Sequence, residues 1–143
     1  YLLLSAPALQ TIGAGDRRKM PLAHRLYENA LVLSPAGRLD HDNCENFRED
    51  LAPHLERAAK DGTPIVLDLS GLEYVSSAGL RCFMLAAKQA KAQNSRIVIA
   101  SMQPVVAEIF QIARFNLVFE AHPKVRDALA SLSPAAAAAF DRG

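Results

Sequence analysis

The sequence predicts a single α/β domain with a mixed sheet of about four to five strands and about four helices. Three observations point to it. The runs Pro64-Ile65-Val66-Leu67-Asp68-Leu69 and Arg96-Ile97-Val98-Ile99-Ala100 are short, apolar and rich in β-branched residues, as expected of strands covered on both faces. The segments between and after them repeat apolar residues at helical spacing. Before them, Leu22–Tyr27 and Ala30–Leu33 are separated only by Glu28-Asn29, which reads as a hairpin and makes the sheet mixed.

Taken in order, the hairpin's second strand ends at Pro35, which has no N–H to give to a ladder. Gly37-Arg38-Leu39-Asp40 then leads into a helix with Phe47, Leu51, Leu55 and Ala58 on its inner face, capped by Asp40 or Asp42. Pro53 falls inside that pattern and is expected to kink or divide the helix. Lys60-Asp61-Gly62 closes it. The strand Ile65–Leu69 is followed by the junction Tyr74–Leu80 and by a helix that places Leu80, Phe83, Met84, Ala87 and Ala90 on one face and ends near Asn94.

After the Arg96–Ala100 strand, Pro104 fits the first turn of a third helix, with Val105, Ile109, Phe110 and Ala113 inward and Asn116 as its stop. Leu117-Val118-Phe119 reads as a last strand. Pro123 then opens a helix through Val125, Ala128, Leu129 and Leu132. Residues 21–133 are assigned to the domain, 1–20 to an N-terminal extension, tag or leader, and 134–143 to a C-terminal tail with a helical Ala135–Ala139 run. Leu2-Leu3-Leu4 followed by Ser5-Ala6-Pro7-Ala8 faintly resembles the end of a signal sequence, but the apolar run is very short and no basic leader is visible. A leader or tag residue is the preferred reading, with Met20 a candidate start of the natural domain.

The composition narrows the function classes. The chain has 143 residues, half of them hydrophobic, enough for one core. Sixteen Lys and Arg against fifteen Asp and Glu give a net charge of +1, without the basic block of a nucleic-acid binder. No apolar run approaches the roughly 18–20 residues that span a bilayer, so direct membrane insertion is not expected. The two cysteines, Cys44 and Cys82, lie far apart and outside any ligand-type pair, and are expected to be reduced thiols of a cytoplasmic protein. His24, His41, His54 and His122 show no metal-ligand spacing. Neither a metal nor another cofactor is expected.

The junction Tyr74-Val75-Ser76-Ser77-Ala78-Gly79-Leu80 carries the chemistry. It lacks the first glycine of a Gly-x-Ser-x-Gly nucleophile elbow, and only His122 follows it as a candidate base. Catalysis is therefore not expected, and Asp40 and Asp68 read as a cap and a strand-end polar residue. A serine hydroxyl here can accept a hydrogen bond from an unpaired first-turn N–H. A phosphate added here would meet a positive helix end. Further along the helix Arg81, Lys88 and Lys91 form a basic stripe, read as a solvated face with an acidic partner as the alternative. Cys82 and Met84 read as packing residues.

These residues resemble the STAS domain, shared by bacterial anti-sigma-factor antagonists and sulfate transporters. The family pattern is a strand ending Asp-Leu-Ser, a spacer, and Asp-Ser-Ser-Gly-Leu or a close variant at the start of a helix. This chain has Asp68-Leu69-Ser70 and then Ser76-Ser77-Ala78-Gly79-Leu80, with Gly37–Asp40 upstream and Ile109-Phe110, Val118-Phe119 and Ala128-Leu129 downstream. The resemblance runs from about Leu22 to Leu132. It implies a regulator that binds a serine-kinase-type anti-sigma factor and is released when that partner phosphorylates Ser77, with a matching phosphatase reversing the step. Ser76 stands in place of the usual aspartate and Ala78 in place of the second serine. The implied partner-binding residues are Ser76, Ser77, Ala78, Gly79 and Arg81. The alternative it implies is a STAS subunit of a membrane transporter complex, acting as a constitutive protein-binding module.

Overall fold

The computed structural model describes residues 20–143, so residues 1–19 of the expected extension lie outside the described residues. Met20 is buried and joins the core. The hairpin forms from β1 (Leu22–Tyr27) and β2 (Ala30–Pro35), paired antiparallel from Leu22 opposite Pro35 to Tyr27 opposite Ala30. β2 continues two residues beyond the expected Leu33, as far as Pro35 itself. Three parallel strands follow β2, namely β4 (Ile65–Asp68), β6 (Ile97–Ala100) and β7 (Glu120–His122), in the order β1-β2-β4-β6-β7.

Each parallel strand is added on the same side of the one before. With right-handed crossovers, all three connecting helices then fall on one face of the sheet. α1 (Cys44–Asp61), α2 (Ser77–Ala92) and α3 (Pro104–Ile112) share the larger core with Leu33, Ile65, Leu67 and Ile99 of the strands. The strand residues between, Val32, Val66, Val98 and Ala100, point to the other face. There α4 (Val125–Leu132) and α5 (Pro134–Asp141) cover them.

The structure departs from the sequence expectations at several points. Gly37–Leu39 does not merely lead into a helix. It is a strand, β3, paired parallel with β5 (Leu72–Val75) in a separate two-stranded ladder. The serine junction therefore follows β5, not β4 directly. In β5 buried Leu72 and Val75 flank exposed Glu73, a run too short for its periodicity to stand out.

Neither Asp40 nor Asp42 caps α1. Asn43 holds the N-cap position, and its buried carboxamide accepts from Asp40 N–H at 2.9 Å and donates to the Arg38 carbonyl at 2.7 Å. Pro53 does not divide α1, which runs unbroken for 18 residues. Pro53 and Glu49, whose carbonyl loses its partner, are both exposed, so water can serve that carbonyl. Gly62, at φ 71°, closes the helix in the left-handed conformation that glycine adopts without strain.

α3 is rotated by about one residue from the expected phase. Val106 and Phe110 are buried, while Val105 is exposed. Its end is set by Arg114, at φ 63°, and not by Asn116. The chain then makes a 3₁₀ turn, Phe115–Leu117, where a strand over Leu117–Phe119 was expected. Phe115 and Phe119 lie four residues apart and both enter the core, joined by a backbone hydrogen bond of 2.8 Å, so helical curvature serves this segment better than an extended ladder. α4 starts two residues after Pro123. Residues 134–143 hold α5, with Ser133 Oγ accepting from Ala136 N–H and with Ala136 and Ala137 buried in the second core.

Phe83 of α2 is the hub of the larger core. Its ring centroid lies 5.5 Å from Phe47, 5.4 Å from Phe110 and 6.4 Å from Phe119, so it joins α1, α3 and the residue that leads from the 3₁₀ turn into β7. Replacing Phe83 by Ala is expected to cost about 3–5 kcal/mol, a large part of the roughly 5–15 kcal/mol that holds a domain folded. Urea denaturation of the wild type and Phe83→Ala measures it; a loss below about 1 kcal/mol would mean that the hub is not where the helices are joined.

Candidate functional site

The site is built where β3, β5 and α2 meet. Ser76 follows Val75 in extended conformation (φ −84°, ψ 175°) and is the N-cap of α2. Its N–H donates to the Leu39 carbonyl at 2.9 Å, its own carbonyl accepts from Leu80 N–H at 2.9 Å, and its Oγ accepts from Gly79 N–H at 3.2 Å. Ser76 is thus committed to the helix end.

Ser77 is the first helical residue and is exposed. Among the described residues its hydroxyl has no hydrogen-bond partner. With Gly79 N–H satisfied by Ser76, the amides of Ser77 and Ala78 remain as the open donors of the first turn. No acidic residue lies in that turn, so the positive helix end is not offset by a neighbouring carboxylate. The position where the resemblance placed an aspartate holds the neutral cap Ser76.

Gly79 is buried for a steric reason. A Cβ there would lie 2.9 Å from the Leu39 carbonyl oxygen, and equally close to Leu39 Cγ and Val75 Cγ1. The first of these is backbone and cannot rotate away. Ala78 is half-buried beside it, and Arg81 is exposed about half a turn further on. Ser76, Ser77, Ala78, Gly79 and Arg81 therefore lie on one helix turn and a half. The positions that hold them there, Leu39, Asn43 and Val75, escaped sequence reasoning, because their role depends on the β3–β5 pairing.

Behind this turn Cys82 is buried, and its thiol donates to the Cys44 carbonyl at 3.3 Å. Burial, followed by contact with Cys44, pushes its pKa up to about 12. It stays a neutral thiol. At the start of α1 Glu45 pairs with Arg48 at 2.8 Å, and that pairing holds the Glu45 carboxyl below its ordinary range. Arg81 adds a weaker pull in the same direction.

His122 lies on the edge strand β7, its Nε2 2.6 Å from Glu120 and 3.3 Å from Ser131 Oγ. Asp68 accepts from Ser70 N–H at 3.1 Å and pairs with Ser34 Oγ at 3.4 Å, and Asp40 accepts from Asp42 N–H at 3.0 Å. Both aspartates organise turns. No helix among the described residues is long and apolar enough to cross a membrane.

Two substitutions separate the parts of this turn. Gly79→Ala is expected to destabilise the fold by about 1–3 kcal/mol, because the Leu39 backbone has to move. Ser76→Ala is expected to lose about 1 kcal/mol with the cap, while Ser76→Asp keeps most of it. Thermal and urea unfolding check both; Gly79→Ala as stable as the wild type would exclude the close approach.

A family model described as "Mlab, STAS domain" matches residues 22–120. A curated relative from Bordetella bronchiseptica, named "Putative anti-sigma factor antagonist BtrV", is 32% identical over 121 residues, covering 85% of this chain and 95% of its own. Among solved structures, the Bacillus anti-sigma factor antagonist SpoIIAA in its unphosphorylated form superposes with a TM-score of 0.62 at 16% identity, over 78% of this chain and 96% of that one. The same protein has also been solved in its phosphorylated form. The murine anion transporter Slc26a9 matches with a TM-score of 0.66 at 14% identity, over 85% of this chain but 23% of the transporter. The structural likenesses concern the fold; the family match over most of the chain, together with the 32% identical relative, establishes that this protein belongs to the STAS-domain family.

Proposed function

We propose that this protein is an anti-sigma-factor antagonist that works by partner switching. In this reading it binds a serine-kinase-type anti-sigma factor over the start of α2, through Ser76, Ser77, Ala78, Gly79 and Arg81. The partner transfers the γ-phosphoryl group of ATP to Ser77 Oγ, forming the Oγ–P bond as the bond to the ADP leaving group breaks and the hydroxyl proton is released, and the complex dissociates. A phosphatase restores the hydroxyl. The observation that carries the reading is the division of labour between the two serines: Ser76 holds the cap, which leaves Ser77 exposed with an unengaged hydroxyl.

A phosphate on Ser77 adds roughly −1.5 to −2 charges at a helix N-terminus, where the dipole and the open amides tolerate it. The fold then persists while the surface changes, and a partner packed over Ser77 meets bulk and repulsion. The name of the Bordetella relative and the existence of both phosphorylation states of SpoIIAA support this reading. The protein acts by binding, in the cytoplasm, without catalysis of its own. The elbow position is held by Ser77, whose hydroxyl has no base bonded to it among the described residues. His122 is engaged at the edge strand with Glu120 and Ser131, so a fluorophosphonate probe is expected to leave the native protein unlabelled.

The fold shared with part of Slc26a9 favours a second reading, a STAS module bound constitutively in a transporter complex. Pull-downs from the source organism with wild-type, Ser77→Ala and Ser77→Asp baits decide between the two. The switch predicts a kinase-type protein retained by wild type and Ala, with the Kd for the Asp variant raised roughly tenfold or more, the equivalent of ~1.4 kcal/mol. Transporter subunits retained equally by all three baits would instead make Ser77 part of a constitutive interface.

A further inference from the structure

The N-terminal half of α2 carries the site, and its C-terminal half borders an open groove. α3 is only nine residues long and packs against β5, leaving the flank of α2 toward β7 uncovered. There Met84, Ala87, Lys88 and Lys91 of α2 stand opposite Leu117 and Val118, at the end of the 3₁₀ turn, around a groove of about 510 Å³.

Two features of this groove point to an occupant. Leu117 is 77% exposed and Val118 39% exposed, adjacent large apolar side chains turned to water, the kind of patch that marks an interaction surface. Lys88 and Lys91 are exposed, and neither has a carboxylate within 4.0 Å among the described residues. Arg96 and Glu120, also on the groove wall, neutralise each other at 2.7 Å. An apolar floor under two uncompensated cations is complementary to an amphipathic segment with carboxylates along one side.

We propose that this groove is a second docking surface for the regulator's protein partner, occupied by an acidic amphipathic segment of that partner. Its apolar side chains seat on Leu117, Val118 and Met84, and its carboxylates meet Lys88 and Lys91. Lys88 is eleven residues beyond Ser77 on the same helix, about 16 Å along its axis, so one partner reaches both. The groove anchors the partner and Ser77 gates it. The identification of the partner rests on the partner-switching reading above; the chemistry of the groove does not.

The test has two arms on the full chain. In the first, ¹⁵N-labelled protein is titrated with a synthetic 16-residue amphipathic peptide bearing Leu on one face and Glu on the other, and with its Lys-for-Glu counterpart. The Glu peptide is expected to shift resonances of 84–91 and 117–120, with affinity reduced about tenfold in Lys88→Glu/Lys91→Glu and in Leu117→Ser, and unchanged in Ser77→Asp. Equal binding of the two peptides, or unchanged affinity in the double variant, overturns the proposal. So does preferential sedimentation with phosphatidylglycerol vesicles, or self-association abolished by Leu117→Ser.

In the second arm, the kinase-type protein retained by the wild type is titrated against the same variants. Weakened binding to Lys88→Glu/Lys91→Glu supports the groove, and undiminished binding overturns it while leaving the Ser77 switch standing. If no kinase-type protein is retained by any bait, the partner-switching reading fails, and the peptide arm alone judges the groove's preference for acidic segments.

Discussion

The backbone carbonyl of Leu39 fits against the start of α2, and the geometry of the site depends on that contact. The carbonyl accepts a hydrogen bond from Ser76 N–H at 2.9 Å and lies where a Cβ on residue 79 would collide with it. Leu39 itself is fully buried at the end of the short β3–β5 ladder. Asn43 fixes the other side by bridging the Arg38 carbonyl and Asp40 N–H. The ladder, the asparagine and the glycine together hold the first turn of α2 in one place, so the side chain of Ser77 is presented on a rigid support.

That rigidity suits a surface altered by one charged group. Helix N-termini accept anions because their first amides lack intrahelical partners and the backbone dipoles add. In α2 the cap is provided by a neutral serine, and no carboxylate sits in the first turn. The helix end keeps its capacity to stabilise an added anion. Deeper in the same helix, Phe83 ties α2 to α1, α3 and Phe119 before β7. A charge placed at the tip is thus received by an element whose packing lies well below the surface.

The arrangement of the faces follows from strand order. With β2, β4, β6 and β7 added in one direction, all three crossover helices occupy one face, and the opposite face would lie bare without α4 and α5. This explains why a segment that reads as an alanine-rich tail folds against the sheet. Small side chains let α5 approach closely, and Ala136 and Ala137 are buried where a larger residue would hold the helix off. The same topology ends the crossover face with the short α3, which opens the groove beside Lys88 and Lys91.

The sequence by itself determined the elements whose signal is local and long enough to repeat: the hairpin, the apolar strands Ile65–Asp68 and Ile97–Ala100, the α1 face of Phe47, Leu51, Leu55 and Ala58, and the paired serines at the start of a helix. The serines were legible because capping chemistry is encoded within four residues. Only the tertiary structure decided the rest. The β3–β5 ladder is three or four residues long, too short for a period to show, and exists because strands separated in sequence by α1 and β4 meet in space. Leu117-Val118-Phe119 has strand composition but curls, because Phe115 and Phe119 gain more by entering the core together than the segment would as an edge strand. Val105 and Val106 are equivalent in composition, and only packing against the sheet chose the one to bury. The need for glycine at position 79 arises forty residues away, at the Leu39 carbonyl, since a steric limit set by a distant backbone atom leaves no trace in the residues around it.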